Sequence, residues 1–166
     1  MLIPDAEGLC EHLRQIIAPV VSPATLMIGV HTGGAWIAAK LHQALRLSTP
    51  LGTLDISFYR DDFARIGLNP QVKKSAIPFN VEDAEIILVD DVLYSGRTVR
   101  AAMNELFDYG RPKRIDLAVL VDRGGRELPV AARFTAQSLD LPGTQSLNLA
   151  QDAQGILSFH LVEKKT

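Results

Sequence analysis

The chain has 166 residues, of which 47% are hydrophobic and 22% are charged, and its formal net charge is −2. These values are typical of a single globular domain and argue against a disordered chain. Proteins whose whole surface coats nucleic acid or anionic lipid are normally basic, so a polyanion would have to meet a local patch here. The single cysteine, Cys10, excludes an internal disulfide and a thiolate zinc cluster.

The sequence predicts a soluble cytoplasmic protein that makes no contact with a membrane. Its first residues include Asp5, Glu7 and Glu11, whereas a signal peptide has a basic flank followed by an apolar core. No apolar run approaches the ~20 residues that are needed to cross a bilayer. Secreted and integral-membrane proteins are therefore not expected.

Helical and extended patterns alternate along the first half of the chain. Apolar residues at helical spacing indicate helices, short apolar runs indicate buried strands, and proline and glycine mark the joints. A long charged stretch without periodicity follows, and such stretches in compact domains are usually functional or disordered. The predicted elements are a helix from Asp5 to Pro19, a strand over 25–30, a helix after Gly33 and Gly34, a strand over 53–59, and an arm or long loop over 60–81.

The second half contains the clearest unit, which is a strand, a short loop, a helix and another strand. Short joints in such a unit imply a parallel pair of strands with a right-handed crossover. The pattern as a whole predicts an α/β fold whose central, mostly parallel sheet is flanked by helices. The predicted elements are a strand over 86–89, a helix over 97–109 that stops at Gly110 and Pro112, a strand over 115–121, and two tail strands over 146–150 and 156–162.

The segment that follows the first strand of this unit carries the strongest chemical signal. Asp90 and Asp91 lie at the end of a buried strand, where two carboxylates need cationic, metal or hydroxyl partners. Ser95, Gly96 and Thr98 then bring hydroxyl groups and backbone N–H groups to a helix N-terminus, which is a natural phosphate site. This spacing suits a sugar phosphate. A plainer alternative is that the aspartates cap the helix and the turn binds nothing.

Residues 86–98 resemble the phosphoribosyl-pyrophosphate motif of the type I phosphoribosyltransferases, with four apolar residues, two acidic residues and a hydroxyl–glycine loop. Residues 29–36, 51–62 and 117–129 are similar to the PyrR family, in which uracil phosphoribosyltransferase activity is combined with regulation of pyrimidine operons. The resemblance implies the type I phosphoribosyltransferase fold, with a mobile arm and a small hood. It predicts one domain over 1–166, with an arm at about 53–81, a core unit at 86–110 and a C-terminal hairpin at about 146–162.

The resemblance also implies a role for each site residue. Asp90 and Asp91 would act in catalysis by holding the ribose hydroxyls, together with Arg60 at the start of the arm. Mg²⁺ is the implied cofactor, and we expect it to rest mainly on the substrate, with Asp90 or Asp91 close by through water. The implied substrate-binding residues are Thr32, Gly33 and Gly34 at the pyrophosphate, Tyr94, Ser95, Gly96, Arg97 and Thr98 at the 5′-phosphate, and Asp122, Arg123 and Arg126 near the base.

Three positions bear on the choice of substrate. Many relatives carry arginine where this chain has Gly33, so one cationic contact to pyrophosphate is absent here. Many carry histidine where Gly125 stands, which leaves base recognition less defined than sugar recognition. Tyr94 stands where purine-specific relatives usually have a carboxylate near the base, which argues against a purine substrate.

The expected function is the formation of UMP and pyrophosphate from uracil and phosphoribosyl pyrophosphate, with regulation of pyrimidine operon expression as an additional role. The alternative is a UMP- or UTP-sensing regulator that binds the pyr mRNA leader and has weak or no catalysis, although no arginine-rich tract or aromatic RNA platform is visible. A third alternative keeps the nucleotide-binding fold without catalysis, because Gly33 and Gly125 depart from the pattern. The family resemblance also implies a homo-oligomer, either a dimer or a tetramer.

Overall fold

The computed structural model describes residues 2–57 and 75–164. Arg60 and the other predicted arm residues between 58 and 74 lie outside the described residues. A short 3₁₀ turn, Ala18–Val20, follows the first helix. The helices and strands are α1 (Ala6–Ile17), β1 (Leu26–Val30), α2 (Gly33–Ala44), β2 (Leu51–Leu54), β3 (Glu85–Leu93), α3 (Arg97–Tyr109), β4 (Arg114–Asp122), β5 (Phe134–Ser138), β6 (Gln145–Gln151) and β7 (Leu157–Glu163).

Five parallel strands form the central sheet in the order β2-β1-β3-β4-β5. The direction in which successive strands are added reverses between β1 and β3. In open parallel sheets, ligands bind beyond the carboxyl ends of the strands at such a reversal. The fold therefore provides a crevice between the loop after β1 and the loop after β3.

Helices cover both faces of the sheet, which is why its strands consist of nearly continuous apolar runs. Met27 and Val89 point to the side that α1 and α2 cover. Ile28 and Leu88, their neighbours along the strands, point to the side that α3 covers. This alternation follows from the two-residue repeat of an extended chain.

The hairpin of β6 and β7 joins the core on the α1 and α2 side of the sheet through Leu147, Leu157 and Phe159, which are all buried. Its second strand is also tied to α1 by a hydrogen bond of 2.7 Å from the Leu157 N–H to Glu7 Oε1. Cys10 is buried in the same cluster, and this burial raises the pKa of its thiol to about 11. Within residues 2–57 and 75–164, no helix is both long and apolar enough to cross a membrane.

The structure corrects the predicted strand over 53–59 as far as residue 57, because the observed strand is β2 (Leu51–Leu54), and residues 58 and 59 lie outside the described residues. The chain leaves the sheet at Asp55, whose carboxylate accepts hydrogen bonds from the backbone N–H and the hydroxyl of Ser57, at 2.9 and 2.5 Å. An aspartate that accepts a bond from the N–H two residues later forms a turn in place of a ladder. An antiparallel bridge between Thr53 and Ala76 then brings the returning chain back beside β2.

Three further boundaries differ from the sequence prediction. The strand expected to end at residue 89 continues through both aspartates to Leu93, because β4 is equally long and pairs with it as far as Leu93 and Asp122. Gly33 and Gly34 do not precede α2 but begin it. The edge strand β5 was not predicted, because its exposed Gln137 and Ser138 break the apolar pattern.

Candidate active site

The loop after β1 and the end of β3 meet in the crevice without intervening side chains. A Cβ atom on Gly33 would lie 2.5 Å from Asp91 Oδ2, and one on Gly34 would lie 2.9 Å from the Cα of Asp90 and collide with the Val89 carbonyl. At Gly34 the nearest atoms belong to the backbone, so only glycine permits the approach there, whereas at Gly33 the nearest atoms belong to the Asp91 side chain. The peptide bond between His31 and Thr32 is cis, and the Thr32 side chain makes no capping bond to α2. The contacts of Gly33 and Gly34 place the first turn of α2 directly beside the two aspartates.

The two aspartates differ in exposure. Asp90 is 5% exposed, whereas Asp91 is partly exposed at the crevice. Asp90 Oδ1 accepts the Asp91 N–H at 2.9 Å, and Asp91 Oδ1 accepts the Val92 N–H at 2.8 Å. The N-cap of α3 is Gly96, and the two carboxylates accept these bonds from N–H groups of β3, so the alternative in which the aspartates cap α3 is wrong.

The loop between β3 and α3 turns tightly at Gly96, whose φ of +91° lies in the left-handed region that favours glycine. The Ser95 carbonyl accepts the N–H groups of Glu127 and Leu128 at 2.9 and 3.0 Å, and Ser95 Oγ accepts the Arg97 N–H at 3.3 Å. These bonds fix the loop to the segment that follows β4. Thr98 lies in the first turn of α3. Two helix N-termini, those of α2 and α3, thus flank the aspartate pair at one edge of the sheet.

The loop after β4 is held by an ion pair across its own ends. Arg126 donates through Nη2 to Asp122 Oδ2 at 2.5 Å, through Nη1 to the Tyr94 carbonyl at 2.8 Å and through Nε to the Val130 carbonyl at 3.0 Å. Burial alone would raise the pKa of Asp122, but the bonds from Arg126 and from the Gly124 N–H outweigh it and lower that pKa. The carboxylate is therefore ionised at neutral pH.

Arg123 has a different environment in the same loop, since it is 4% exposed. Its Nη1 donates to the Gln145 carbonyl at 2.7 Å, and its Nη2 donates to the Leu141 and Pro142 carbonyls at 3.3 and 3.1 Å. The guanidinium carbon lies 4.1 Å from the centroid of the Tyr94 ring. Arg123 thus joins the β3–α3 loop to the start of the C-terminal hairpin.

Comparisons with known proteins agree with this geometry. The phosphoribosyl transferase domain family matches residues 14–140. A relative from Nitrosococcus oceani, named bifunctional protein PyrR, is 53% identical over 144 residues, which cover 86% of this chain and 81% of the relative. A relative of the same name from Pseudomonas paraeruginosa is 53% identical over 126 residues, covering 76% and 74% of the two chains. This chain belongs to the PyrR family.

The structural neighbours show the same fold at low sequence identity. A hypoxanthine-guanine phosphoribosyltransferase from Bacillus anthracis is similar with a TM-score of 0.64 and 20% identity, and each chain is covered over 84% of its length. A hypoxanthine phosphoribosyltransferase from Staphylococcus aureus gives a TM-score of 0.61 at 12% identity, covering 84% of this chain and 77% of the other. The predicted type I phosphoribosyltransferase fold and the predicted PyrR resemblance are both confirmed.

The predicted site residues of this PyrR-family chain fall into two groups in the structure. One group lies along the crevice at the ends of β1 and β3. The other group lies after β4, and its side chains bond to other protein groups. Arg97 is engaged in the same way, because its Nε pairs with Glu127 Oε2 at 2.7 Å. The crevice group consists of Thr32, Gly33, Gly34, Asp90, Asp91, Ser95, Gly96 and Thr98, and the second group consists of Asp122, Arg123 and Arg126, with Tyr94 between the two.

The crevice also fits the implied magnesium ion. In the part of the chain that the structure describes, no three His, Cys, Asp or Glu side chains are grouped so that they could hold a metal ion. Asp90 and Asp91 nevertheless supply hard carboxylate oxygens, and Mg²⁺ commonly takes one or two carboxylates and completes its shell with substrate oxygens and water. The donor set is suitable for an ion that enters with a phosphorylated substrate.

Some residues that shape the site carry no signal in the sequence. Arg123 binds carbonyl groups at residues 141, 142 and 145, and a backbone carbonyl leaves no mark on residue type. Gly125 gives a weak signal because it departs from the family pattern. Its φ is +77°, and a Cβ there would lie 2.9 Å from Tyr94 Cδ2. The space that a side chain would need at position 125 is therefore occupied by the Tyr94 ring.

Proposed function

We propose that the protein is a uracil phosphoribosyltransferase, which forms UMP and pyrophosphate from uracil and phosphoribosyl pyrophosphate. The observation that carries this proposal is the pair of aspartates between two helix N-termini at the reversal of the strand order. Each N-terminus favours a phosphate group, since its backbone N–H groups and dipole attract anions. The aspartates between them favour sugar hydroxyls, because a carboxylate accepts their hydrogen bonds.

The order of these groups supports one orientation of the substrate. The first turn of α2, with Gly33 and Gly34, offers close backbone approach to the pyrophosphate. The β3–α3 turn, with Gly96 and Thr98, receives the 5′-phosphate, and Asp91 lies between them for the ribose. The pyrophosphate then lies on the β1 side of β3.

The base must therefore approach from the β4 side, because a nucleophile attacks the anomeric carbon from the face opposite the leaving group. This side is lined by Tyr94 and by the loop that begins at Asp122, which pairs with Leu93 in the sheet. An aromatic ring at this position suits a planar base. Purine-specific relatives usually have a carboxylate at the position of Tyr94. The tyrosine therefore supports a pyrimidine substrate over a purine.

The reaction forms a bond between uracil N1 and the anomeric carbon, while the bond from that carbon to pyrophosphate breaks and the N1 proton is released. Positive charge builds on the ribose in the transition state, and Asp90 and Asp91 stabilise it electrostatically while they orient the hydroxyls. Mg²⁺, held by Asp90 or Asp91 through water, would offset charge on the leaving pyrophosphate. The reaction also requires that water be kept away from the anomeric carbon, because water would otherwise compete with the base.

Steady-state assays of Asp90→Asn and Asp91→Asn test this assignment. We expect each to lower UMP formation by about 100-fold or more, by analogy with the loss of one preorganised electrostatic contact. Asp116→Asn is the matched control, because Asp116 pairs with Arg114 and Arg133 away from the crevice. Wild-type activity in both aspartate variants would show that the ribose is bound elsewhere.

Competition among acceptors tests the identity of the base. We expect UMP to be the main product when uracil, orotate, hypoxanthine and guanine are supplied together with phosphoribosyl pyrophosphate. A preference for hypoxanthine or guanine would overturn the pyrimidine assignment while preserving the sugar-phosphate site. No nucleotide product from any base would support the alternative in which the fold has lost catalysis.

A second function, regulation by binding the pyr mRNA leader, is favoured by the name bifunctional that the relatives carry. Exposed cations at the starts of β4 and β5 are partly neutralised, since Lys113 lies 3.4 Å from Glu85 and Arg114 and Arg133 pair with Asp116. A homo-oligomer would gather such residues from several copies. A gel-shift assay with the leader RNA, with and without UMP, should show UMP-dependent binding, and no shift at low salt would remove this proposal.

A further inference from the structure

The Tyr94 ring is held from several directions by residues that are not its neighbours in the sequence. Arg123 stacks on it at 4.1 Å, and Gly125 packs against its edge without a side chain. Lys164 Nζ, just after β7, lies 5.0 Å from the ring centroid. Arg126 holds the Tyr94 carbonyl at 2.8 Å. The conformation of Tyr94 is therefore set by the loop after β4 and by the C-terminal hairpin.

Arg123 is the contact that links these two elements. Its backbone N–H extends the β3–β4 ladder to the Leu93 carbonyl at 3.0 Å. Its two Nη atoms bind three carbonyl groups of residues 141, 142 and 145, which lead into β6. A planar guanidinium can stack on a ring and form a fork of hydrogen bonds at the same time, whereas an ammonium cannot reproduce that geometry.

These bonds argue against direct contact between Arg123 and a substrate. Both Nη atoms are engaged by protein carbonyls, and the residue is 4% exposed. We propose that Arg123 is a positioning residue that ties the entry of the C-terminal hairpin to the Tyr94 ring and thereby shapes the base side of the crevice. This inference rests on the proposed function, which assigns that side to the base.

Two variants of Arg123 test the proposal through separate kinetic constants. Arg123→Met removes the charge and the fork, whereas Arg123→Lys keeps the charge and loses the fork. We expect the KM for uracil to rise about tenfold in Arg123→Met, the loss expected for one buried cation–π contact, and to rise in Arg123→Lys as well, because an ammonium cannot rebuild the fork of hydrogen bonds. The KM for phosphoribosyl pyrophosphate should remain close to that of the wild type, because the phosphate sites lie on α2 and α3.

Hydrogen exchange supplies a readout that does not need activity. We expect faster amide exchange at residues 139–146 and 93–98 in both variants, since each segment loses its tie to the other. Arg133→Met is the matched control. Arg133 stacks on Phe134 at 4.9 Å, away from the crevice, so its removal should leave both KM values and these two segments unchanged.

The outcomes distinguish this inference from the proposed function. Restoration of the uracil KM by Arg123→Lys, or a larger rise in the KM for phosphoribosyl pyrophosphate, would mean that the Arg123 charge acts on the substrate. Unchanged exchange at 139–146 would show that the hairpin is not tied through Arg123. If the wild type forms no UMP, the proposed function fails, and the exchange experiment still decides whether Arg123 joins the two segments. If Arg123→Met does not fold, Arg123→Lys carries the same comparison.

Discussion

The two sides of the crevice are built in different ways. On the β1 side, small residues and backbone meet directly, and Gly33 and Gly34 pack against Asp91 and against the backbone at the end of β3. On the β4 side, Arg123 and Arg126 hold the loop through charged hydrogen bonds. The β1 side should therefore be sensitive to added volume, whereas the β4 side should be sensitive to the loss of a charged hydrogen bond.

The largest effect is expected from Gly34→Ala on the β1 side. The added methyl group would collide with the Val89 carbonyl and lie 2.9 Å from the Cα of Asp90, and backbone atoms cannot rotate away. We expect the free energy of unfolding to fall by about 3 kcal/mol, at the upper end of the usual cost of overpacking, and UMP formation to be lost. Urea unfolding and a coupled assay measure both quantities.

Gly33→Ala is the matched comparison for that variant. Its methyl group would meet Asp91 Oδ2, the flexible end of a side chain, so the protein can relax by moving that carboxylate. Activity should fall with little loss of stability. A variant at Gly33 that unfolds as easily as Gly34→Ala would contradict the distinction between backbone and side-chain contacts.

The next effect is expected from Asp122→Asn on the β4 side. This change keeps the shape of the side chain and removes the charge that pairs with Arg126 at 2.5 Å. We expect the free energy of unfolding to fall by about 2 kcal/mol at neutral pH, as for other hydrogen bonds to charged groups. Chemical denaturation of the wild type and the variant measures the difference.

The pH dependence of that difference provides an internal control. Because the pKa of Asp122 is lowered in the folded protein, the extra stability is present above the ordinary aspartate pKa of about 3.9. It is lost as the pH falls through the lowered folded value. The gap between wild type and Asp122→Asn should therefore narrow as the pH falls below the ordinary aspartate value, and a gap that does not narrow there would indicate that packing causes it.

A smaller effect is expected where the two sides meet, at Gly125. With a φ of +77° and the Tyr94 ring beside it, an alanine there would be strained and would press on the ring. We expect Gly125→Ala to reduce stability by about 1–2 kcal/mol and to raise the KM for uracil more than that for phosphoribosyl pyrophosphate. An equal rise in the KM for uracil and in the KM for phosphoribosyl pyrophosphate would mean that Tyr94 affects the binding of both substrates.

The β1 side and the β3–α3 turn were largely predictable from the sequence, and the β4 side was less so. Asp90, Asp91, Ser95 and Gly96 occur in one contiguous segment, and their residue types indicate their chemistry. The partners of Arg123 are carbonyl groups about twenty residues away, which become visible only when the hairpin folds back. The difference between the predicted and observed bounds of β2 has a similar cause. The turn at Asp55 depends on a side-chain hydrogen bond, which competes with strand formation.

The smallest effect is expected from a carboxylate that is bound by a hydroxyl group and not by a cation. Glu105 of α3 accepts a hydrogen bond from Ser75 Oγ, which in turn accepts the Asp55 N–H at 2.8 Å. Burial raises the pKa of Glu105, and the nearby charges of Asp55 and Asp108 raise it further, while the bond from Ser75 opposes them. Compared with the unfolded chain, the folded protein therefore shifts this side chain toward its protonated form.

Glu105→Gln should accordingly stabilise the protein slightly, by no more than about 0.5 kcal/mol at pH 7. Because the folded pKa is raised, the contribution of Glu105 to stability is complete below the ordinary glutamate value of about 4.3 and is lost as the pH rises through the folded value. The advantage of the glutamine variant should therefore appear only as the pH rises, and thermal unfolding at pH 4 and pH 7 measures it. Glu127→Gln is the contrasting variant, because Glu127 pairs with Arg97 and should gain nothing from losing its charge. An equal gain at both pH values for Glu105→Gln would show that helix propensity, and not the buried charge, causes the effect.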